Sequence, residues 1–324
     1  MTMLNSVNGP IRADQLGRTL MHEHLVCAFP GWEGDTRCPP KDRRELIALC
    51  VDRVEEMKSA GFGAMLDPCP NDLGRDVEIM GEVAARTGFH ILFATGLYMD
   101  HSAGAYWKMM ARLNPDADRY MADMFIAELT DGVGETGLKP AVIKVATGKA
   151  PFTRYEETVL KAAAIASKAT GAPITTHTEA IDGEEQLRIL GGHGMAPGRI
   201  IVGHSCGNPD HAYHRRIVDA GAYIGFDRFG IERILPDEER AKCLARIVET
   251  GFADKVIVSH DCVFHMRGEM YPANLAPERT PLHFSRKVVP RLKALGVDEA
   301  VIDAMLLDNP RRYFEGASAM AEAA

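Results

Sequence analysis

The sequence of 324 residues predicts an α/β chain of the (β/α)₈, or TIM-barrel, class. Three observations lead there. Eight short β-branched or apolar runs alternate, for the most part, with segments whose apolar residues recur at helical spacing. Several of those segments stop at glycine, which takes the left-handed backbone of a helix end without strain. Histidines, a lysine and an aspartate stand directly after particular runs, where the loops of such a barrel converge.

Taken in order, strands are expected near Thr19–Met21, Ala64–Leu66, Ile91–Ala94, Ala141–Val145, Ile174–Thr176, Ile200–Val202, Ala222–Gly225 and Val256–Val258. Helical segments are expected over Asp42–Ala60, Arg75–Thr87, Tyr155–Thr170, Glu184–Leu190 and Pro236–Thr250, with Gly61, Gly88, Gly171 and Gly251 as stops. Helix, turn and strand in repeated succession favour a parallel sheet with right-handed crossovers, and eight strands close a barrel. No linker or low-complexity tract interrupts the chain, so residues 1–324 are expected to form a single barrel domain. The longer interruptions are Phe29–Lys41, Tyr98–Tyr120 and Cys262–Pro281. The first and last directly follow strands, and so should lie over the mouth of the barrel.

Composition narrows the function classes. A chain of this length, 46% hydrophobic, can bury a core without disulfides or a structural metal. The net charge of −8 argues against nucleic acid or an anionic membrane surface as partner. Seven scattered cysteines with no Cys-x-x-Cys pair are expected to be reduced thiols of a cytoplasmic protein. Met1–Pro10 lacks the basic and apolar regions of a signal peptide, and no stretch approaches a membrane span.

The strand ends are chemically uneven. Met21-His22-Glu23-His24 follows the first strand, and histidines two apart on extended backbone project to one side, where both reach one ion. Lys144 sits within the apolar run Ile143-Lys144-Val145-Ala146 of the fourth. There it either snorkels, pairs with a carboxylate, or is chemically altered, because a buried ammonium is costly. His177 follows the fifth strand and His204 the sixth; alone, each reads as a satisfied loop histidine. Asp261 follows the eighth, where an aspartate equally well caps a following segment. Together, four histidines and an aspartate at strands one, five, six and eight would meet at one end of the barrel. Imidazole and carboxylate are the ligand types of Zn²⁺, Mn²⁺, Co²⁺ and Fe²⁺.

Charge bookkeeping bears on Lys144. Two divalent ions bring four positive charges, and Asp261 returns only one. An ammonium aimed at the pair is untenable, whereas a lysine carboxylated at its side-chain nitrogen by CO₂ is an anionic bridge.

His22-x-His24, Lys144, His177, His204 and Asp261, in this order over nearly the whole chain, resemble the phosphotriesterase family of the amidohydrolase superfamily, in its phosphotriesterase-like lactonase branch. Gly17-Arg18-Thr19-Leu20-Met21-His22-Glu23-His24 is similar to its first-strand signature, and Ile143-Lys144-Val145-Ala146-Thr147 to its carboxylated-lysine segment. Thr175-Thr176-His177-Thr178 resembles its fifth-strand segment and Asn309-Pro310-Arg311-Arg312-Tyr313-Phe314 its closing helix. The resemblance implies a dinuclear centre at the C-terminal mouth, with His22, His24 and Asp261 on the more buried ion and His177 and His204 on the more exposed one. Lys144, N6-carboxylated, would bridge ions about 3.5–4 Å apart that acidify a shared water. Asp261 would pass its proton to the leaving group.

Three segments bear on substrate. Tyr98 aligns with a lactonase-branch tyrosine over the metal centre, where its hydroxyl can steer a carbonyl; the alternative is a satisfied interior tyrosine. Phe226-Asp227-Arg228-Phe229-Gly230 resembles a lactonase pattern; Arg228 either lines the pocket rim or forms a structural ion pair with Asp227. Gly207 stands where relatives carry an aspartate, so a proton relay through that position is not expected. Phe264, Met266, Met270, Tyr271, Pro272 and Leu275 in Cys262–Pro281 either cover an acyl chain or pack on the rim, and the Phe29–Lys41 loop is unassigned.

The expectation is therefore a metal-dependent lactonase acting on an N-acyl-homoserine lactone or related lactone, with promiscuous phosphotriesterase activity. The alternatives are a dedicated phosphotriester, phosphodiester or carboxylic ester hydrolase on the same centre and, remotely, a non-catalytic binding protein. A small-molecule lactone or ester is the expected partner, and a homodimer is common in relatives.

Overall fold

The computed structural model describes residues 2–269 and 280–318. Eight strands form one parallel sheet in sequential order: β1 (Arg18–Leu20), β2 (Phe62–Asp67), β3 (His90–Gly96), β4 (Val142–Ala146), β5 (Ile174–His177), β6 (Ile200–Val202), β7 (Tyr223–Phe226) and β8 (Val256–Val258). Each neighbouring pair is parallel, with partners such as Lys144↔Thr175 and Phe226↔Val258. This is the expected (β/α)₈ barrel. The strands are apolar runs because each is enclosed by barrel interior on one face and helices on the other.

The helices are α1 (Arg43–Ser59), α2 (Val77–Thr87), α3 (Ala105–Leu113), α4 (Ala117–Thr130), α5 (Arg154–Thr170), α6 (Gly183–Gly192), α7 (His211–Asp219), α8 (Asp237–Glu249), α9 (Val289–Ala294) and α10 (Glu299–Ser318). Their ends follow local chemistry. The Asp42 carboxylate accepts the N–H groups of Arg44 and Glu45, and Thr153 and Glu156 form a reciprocal cap at the start of α5. Gly88 and Gly171 close α2 and α5 in left-handed backbone, with φ of 68° and 79°.

Closure of the barrel takes an unexpected route. β8 and β1 share no ladder of the main sheet; beyond them Glu23–Cys27 and Cys262–Met266 pair in parallel as a separate two-stranded sheet. The junction is tied by Asp261 N–H to His22 O at 3.0 Å and His22 N–H to Ser259 Oγ at 2.9 Å. The opposite end is sealed by α10, whose Tyr313 and Phe314 pack with Leu16, Tyr223 and Ile257. Asn309 donates from the same helix to the carbonyls of Ala253 and Val256, both at 2.8 Å.

Some segments expected to be loops are structured. Tyr98–Tyr120 holds α3 and the start of α4, and Cys262–Pro281 begins as a strand. The apolar period of α3 is blurred because Tyr106, Met109 and Leu113 face outward. Helix α7 was hidden by a polar residue on its inner face, buried His214, which stands among Tyr213, Ile217 and Val218. Met270, Tyr271, Pro272 and Leu275 of the expected apolar loop lie outside the described residues. Among the described residues, no helix is long and apolar enough to cross a membrane.

Candidate metal centre

The ends of β1, β4, β5, β6 and β8 bring His22, His24, Lys144, His177, His204 and Asp261 to one pocket at the C-terminal mouth. The imidazoles form a contiguous row: ring centroids of His22 and His24 are 5.3 Å apart, His22 and His204 4.7 Å, His177 and His204 4.5 Å. Ligand atoms of His22, His24 and Asp261 lie within 4.8 Å of one another. His204 and Asp261 hold left-handed backbone at φ 61° and 55°. Such conformations are unfavourable for side-chain-bearing residues and persist where the surroundings over-determine them, often at functional sites.

Two carboxylates away from the pocket aim the rings, and a third ties their segments together. Asp227 is the hub. Its Oδ1 lies 3.0 Å from His204 Nδ1 and accepts the His204 N–H at 2.8 Å, while Oδ2 lies 3.2 Å from His22 Nδ1. Asp67, at the end of β2, lies 3.1 Å from His24 Nδ1 and accepts the Leu25 N–H at 2.9 Å. Glu23, between the two first-strand histidines, gathers Ser259 Oγ, His260 Nδ1 and the N–H groups of His260 and Cys262 at 2.6–3.0 Å. It thereby locks the Asp261 segment to the His22–His24 segment. With Nδ1–H of His22 and His24 turned to these carboxylates, both Nε2 lone pairs face the same anionic oxygen, Asp261 Oδ1, at 3.7 and 3.3 Å. An acceptor cannot face an acceptor at that range in a buried site unless a cation or proton lies between them. The donor set thus fits a divalent ion.

Electrostatics agree with that fit. Burial, reinforced by Lys144, lowers His22 to about 3, and burial with Arg228 lowers His204 to about 3, so both rings are neutral and able to ligate. Burial acts likewise on His177. His24 differs: burial opposes its charge, but hydrogen bonds to Asp261 and Asp67 outweigh it and raise the ring above its usual value. Lys144 is buried, donates from Nζ to Thr176 O at 3.1 Å, and is lowered by burial to about 8, which makes the neutral amine accessible near physiological pH.

Tyr98 and Arg228 both line the pocket. The Tyr98 hydroxyl lies 3.2 Å from His177 Nδ1, and Glu179 approaches the other ring nitrogen at 3.1 Å. Arg228 does not pair with Asp227, one of the two readings of that dipeptide; its Nε donates to Asp261 Oδ2 at 3.0 Å. Asp227 is engaged instead by the two histidines. Gly207 leaves no space for a relay carboxylate either, since a Cβ there would stand 2.8 Å from Ala180 Cβ. Phe29, Leu73, Ile231, Ile234, Val263 and Met266 make the remaining wall largely apolar.

Asp67 and the supporting role of Asp227 were not legible beforehand, and Glu23 passed as a spacer. The one available signal was position: Asp67 stands at a strand end beside the histidine pair, as Asp227 does.

The phosphotriesterase family model matches residues 2–314. The chain is 37% identical over 331 aligned positions to a phosphotriesterase homology protein of Mycobacterium tuberculosis, covering 97% of this chain and 98% of that one. It is 33% identical to an aryldialkylphosphatase of Saccharolobus solfataricus, covering 94% and 96%. A solved structure of a mutant Deinococcus radiodurans PTE-like lactonase superposes with a TM-score of 0.91 at 35% identity, covering 96% and 99%. The chain belongs to the phosphotriesterase family and is a metal-dependent hydrolase.

Proposed function

We propose that this enzyme is a lactonase that opens an N-acyl-homoserine lactone or a related lactone and hydrolyses aryl phosphotriesters more weakly. The observation that carries the reading is the pocket itself. A phenol and a guanidinium stand beside the histidine–aspartate cluster, within walls that are otherwise mostly apolar. A lactone asks for that combination: a neutral carbonyl needs directed donors, and an acyl substituent needs apolar cover.

His22, His24 and Asp261 would hold one divalent ion and His177 and His204 the other, with Lys144 as its N6-carboxylate between them. Zn²⁺, Mn²⁺, Co²⁺ and Fe²⁺ all suit these donors. When bound, the pair supplies Lewis acidity and a water acidic enough to ionise at neutral pH. The protein's own groups do the rest. Tyr98, neutral because burial raises its phenol, donates a hydrogen bond toward the carbonyl oxygen as charge builds there. Asp261 takes the proton of the attacking water and returns it to the departing alkoxide. Arg228 fixes the Asp261 carboxylate and keeps it ionised between proton transfers. Arg228 Nε is committed to Asp261 and so is less available to an anionic phosphodiester, whereas a neutral lactone needs no cation of its own.

The test compares kcat/KM of the Mn²⁺- or Co²⁺-reconstituted enzyme on a long-chain acyl-homoserine lactone and an aryl dialkyl phosphotriester. The lactone is expected to be preferred by about a hundredfold, nearly 3 kcal/mol in barrier. A preference for the phosphotriester would replace lactone with phosphotriester as the principal substrate class.

A further inference from the structure

Beside the dinuclear site stands a cluster that the hydrolytic reading does not use. Cys27 ends the extension strand after β1, and Cys69 follows β2; their sulfurs are 3.9 Å apart. Neither is disulfide-bonded, and both are buried. Cys27 forms part of the pocket wall, and Cys69, fully buried, donates to Leu73 O at 3.0 Å. A ring nitrogen of His24 completes the group, with all three ligand atoms within 4.8 Å of one another. Among the described residues this is the one group of clustered candidate ligands that contains sulfur.

The spacing distinguishes two fates of such a pair. A disulfide needs sulfurs about 2.05 Å apart, so the side chains would have to close by nearly 2 Å. A single ion at the usual sulfur–zinc distance of about 2.3 Å from each sulfur spans 3.9 Å at an angle of roughly 115°, close to tetrahedral. The pair is therefore already placed for chelation, and two thiolates with one imidazole make a soft donor set.

We propose that Cys27, Cys69 and His24 form a third cation site, in the wall of the substrate pocket, that takes a thiophilic divalent ion such as Cd²⁺ or excess Zn²⁺. The two thiols release their protons to solvent as the metal–sulfur bonds form. The site shares the His24 ring with the neighbouring centre, so an ion there disturbs that ring and inhibits the enzyme. That consequence rests on the hydrolytic reading above, whereas occupancy of the site does not.

The test titrates the enzyme, already loaded with two equivalents of metal, with Cd²⁺. Metal per chain is measured after desalting, together with the ultraviolet sulfur-to-cadmium charge-transfer absorption. The wild type is expected to retain a third equivalent with that absorption, and Cys27→Ser and Cys69→Ser to lose both. X-ray absorption of Cd²⁺-loaded wild type, expected to count two sulfur neighbours, covers the case in which Cys69→Ser does not fold. A stoichiometry that stops at two, a third equivalent without sulfur coordination, or one retained by Cys27→Ser would overturn the site. A failed lactone assay would leave these readouts unchanged.

Discussion

Asp227 holds two of the imidazoles proposed as metal ligands. Its two oxygens engage the Nδ1 atoms of His22 and His204, which leaves their Nε2 atoms free of Asp227. An amide cannot accept at both atoms, so Asp227→Asn must let one ring turn. The expected result is metal affinity weakened by about 10–100-fold, read as metal content after dialysis against a graded chelator. Retention equal to wild type would remove Asp227 from the aiming role. Asp261→Asn would remove the proposed proton carrier and weaken a proposed ligand together; turnover is expected to fall by at least about a hundredfold, and near-normal kcat would sink that assignment. Gly207→Asp tests the opposite idea, that a relay can be installed. The Cβ would stand 2.8 Å from Ala180 Cβ, so overpacking is expected to cost about 1–3 kcal/mol by chemical denaturation, with no gain in activity.

At the scale of elements, stop signals were legible where they are local. Gly88 and Gly171 end their helices as the sequence implies, because a left-handed residue is chosen by its own backbone. The cap of α5 is equally local, and it does more than start a helix: Glu156 Oε1 also accepts the Gly148 N–H at 2.8 Å, tying the loop after β4 to the helix. Thr153→Ala is expected to cost about 0.5–2 kcal/mol, measured as a lower denaturation midpoint. An unchanged midpoint would show that the cap is redundant with packing of the helix. Elements whose inner faces carry polar residues, such as α7, were not legible. Nor was the pairing of Glu23–Cys27 with Cys262–Met266, a contact between segments more than two hundred residues apart.

The whole molecule adds two linkages. Divalent ions bound to the folded centre and not to the unfolded chain stabilise it by mass action, about 4 kcal/mol at a thousand times the dissociation constant. Chelation should lower the melting temperature and Mn²⁺ or Co²⁺ restore it; a melting temperature indifferent to metal would contradict the centre. The second linkage is to acid. Asp237 is fully buried with Arg240 at 2.8 Å and His283 at 2.5 Å. Burial works against its charge, but His283, the Gly230 N–H and Arg240 prevail and lower its pKa. A depressed folded value means that the stabilisation is complete above the unfolded value of about 3.9 and is lost as pH falls through the lower, folded one. Wild type is thus expected to lose stability steeply below about pH 4, and Asp237→Asn, less stable at neutral pH, to lose less over that range. Parallel acid curves would assign the sensitivity to other carboxylates.

The amino-acid sequence by itself determined the barrel, because alternating apolar periodicities and glycine stops are properties of neighbouring residues. It also determined which residues could be ligands, because His22, His24, His177, His204 and Asp261 stand at or just beyond strand ends, Lys144 stands within the fourth strand, and these strands meet in this topology. Only the tertiary structure decided what each ring nitrogen faces. That Arg228 binds Asp261 and not its neighbour Asp227, that Asp67 and Glu23 support the histidines, and that Cys27 meets Cys69 are distances between segments far apart in the chain. They depend on strand register and side-chain direction, and neither is written in local pattern.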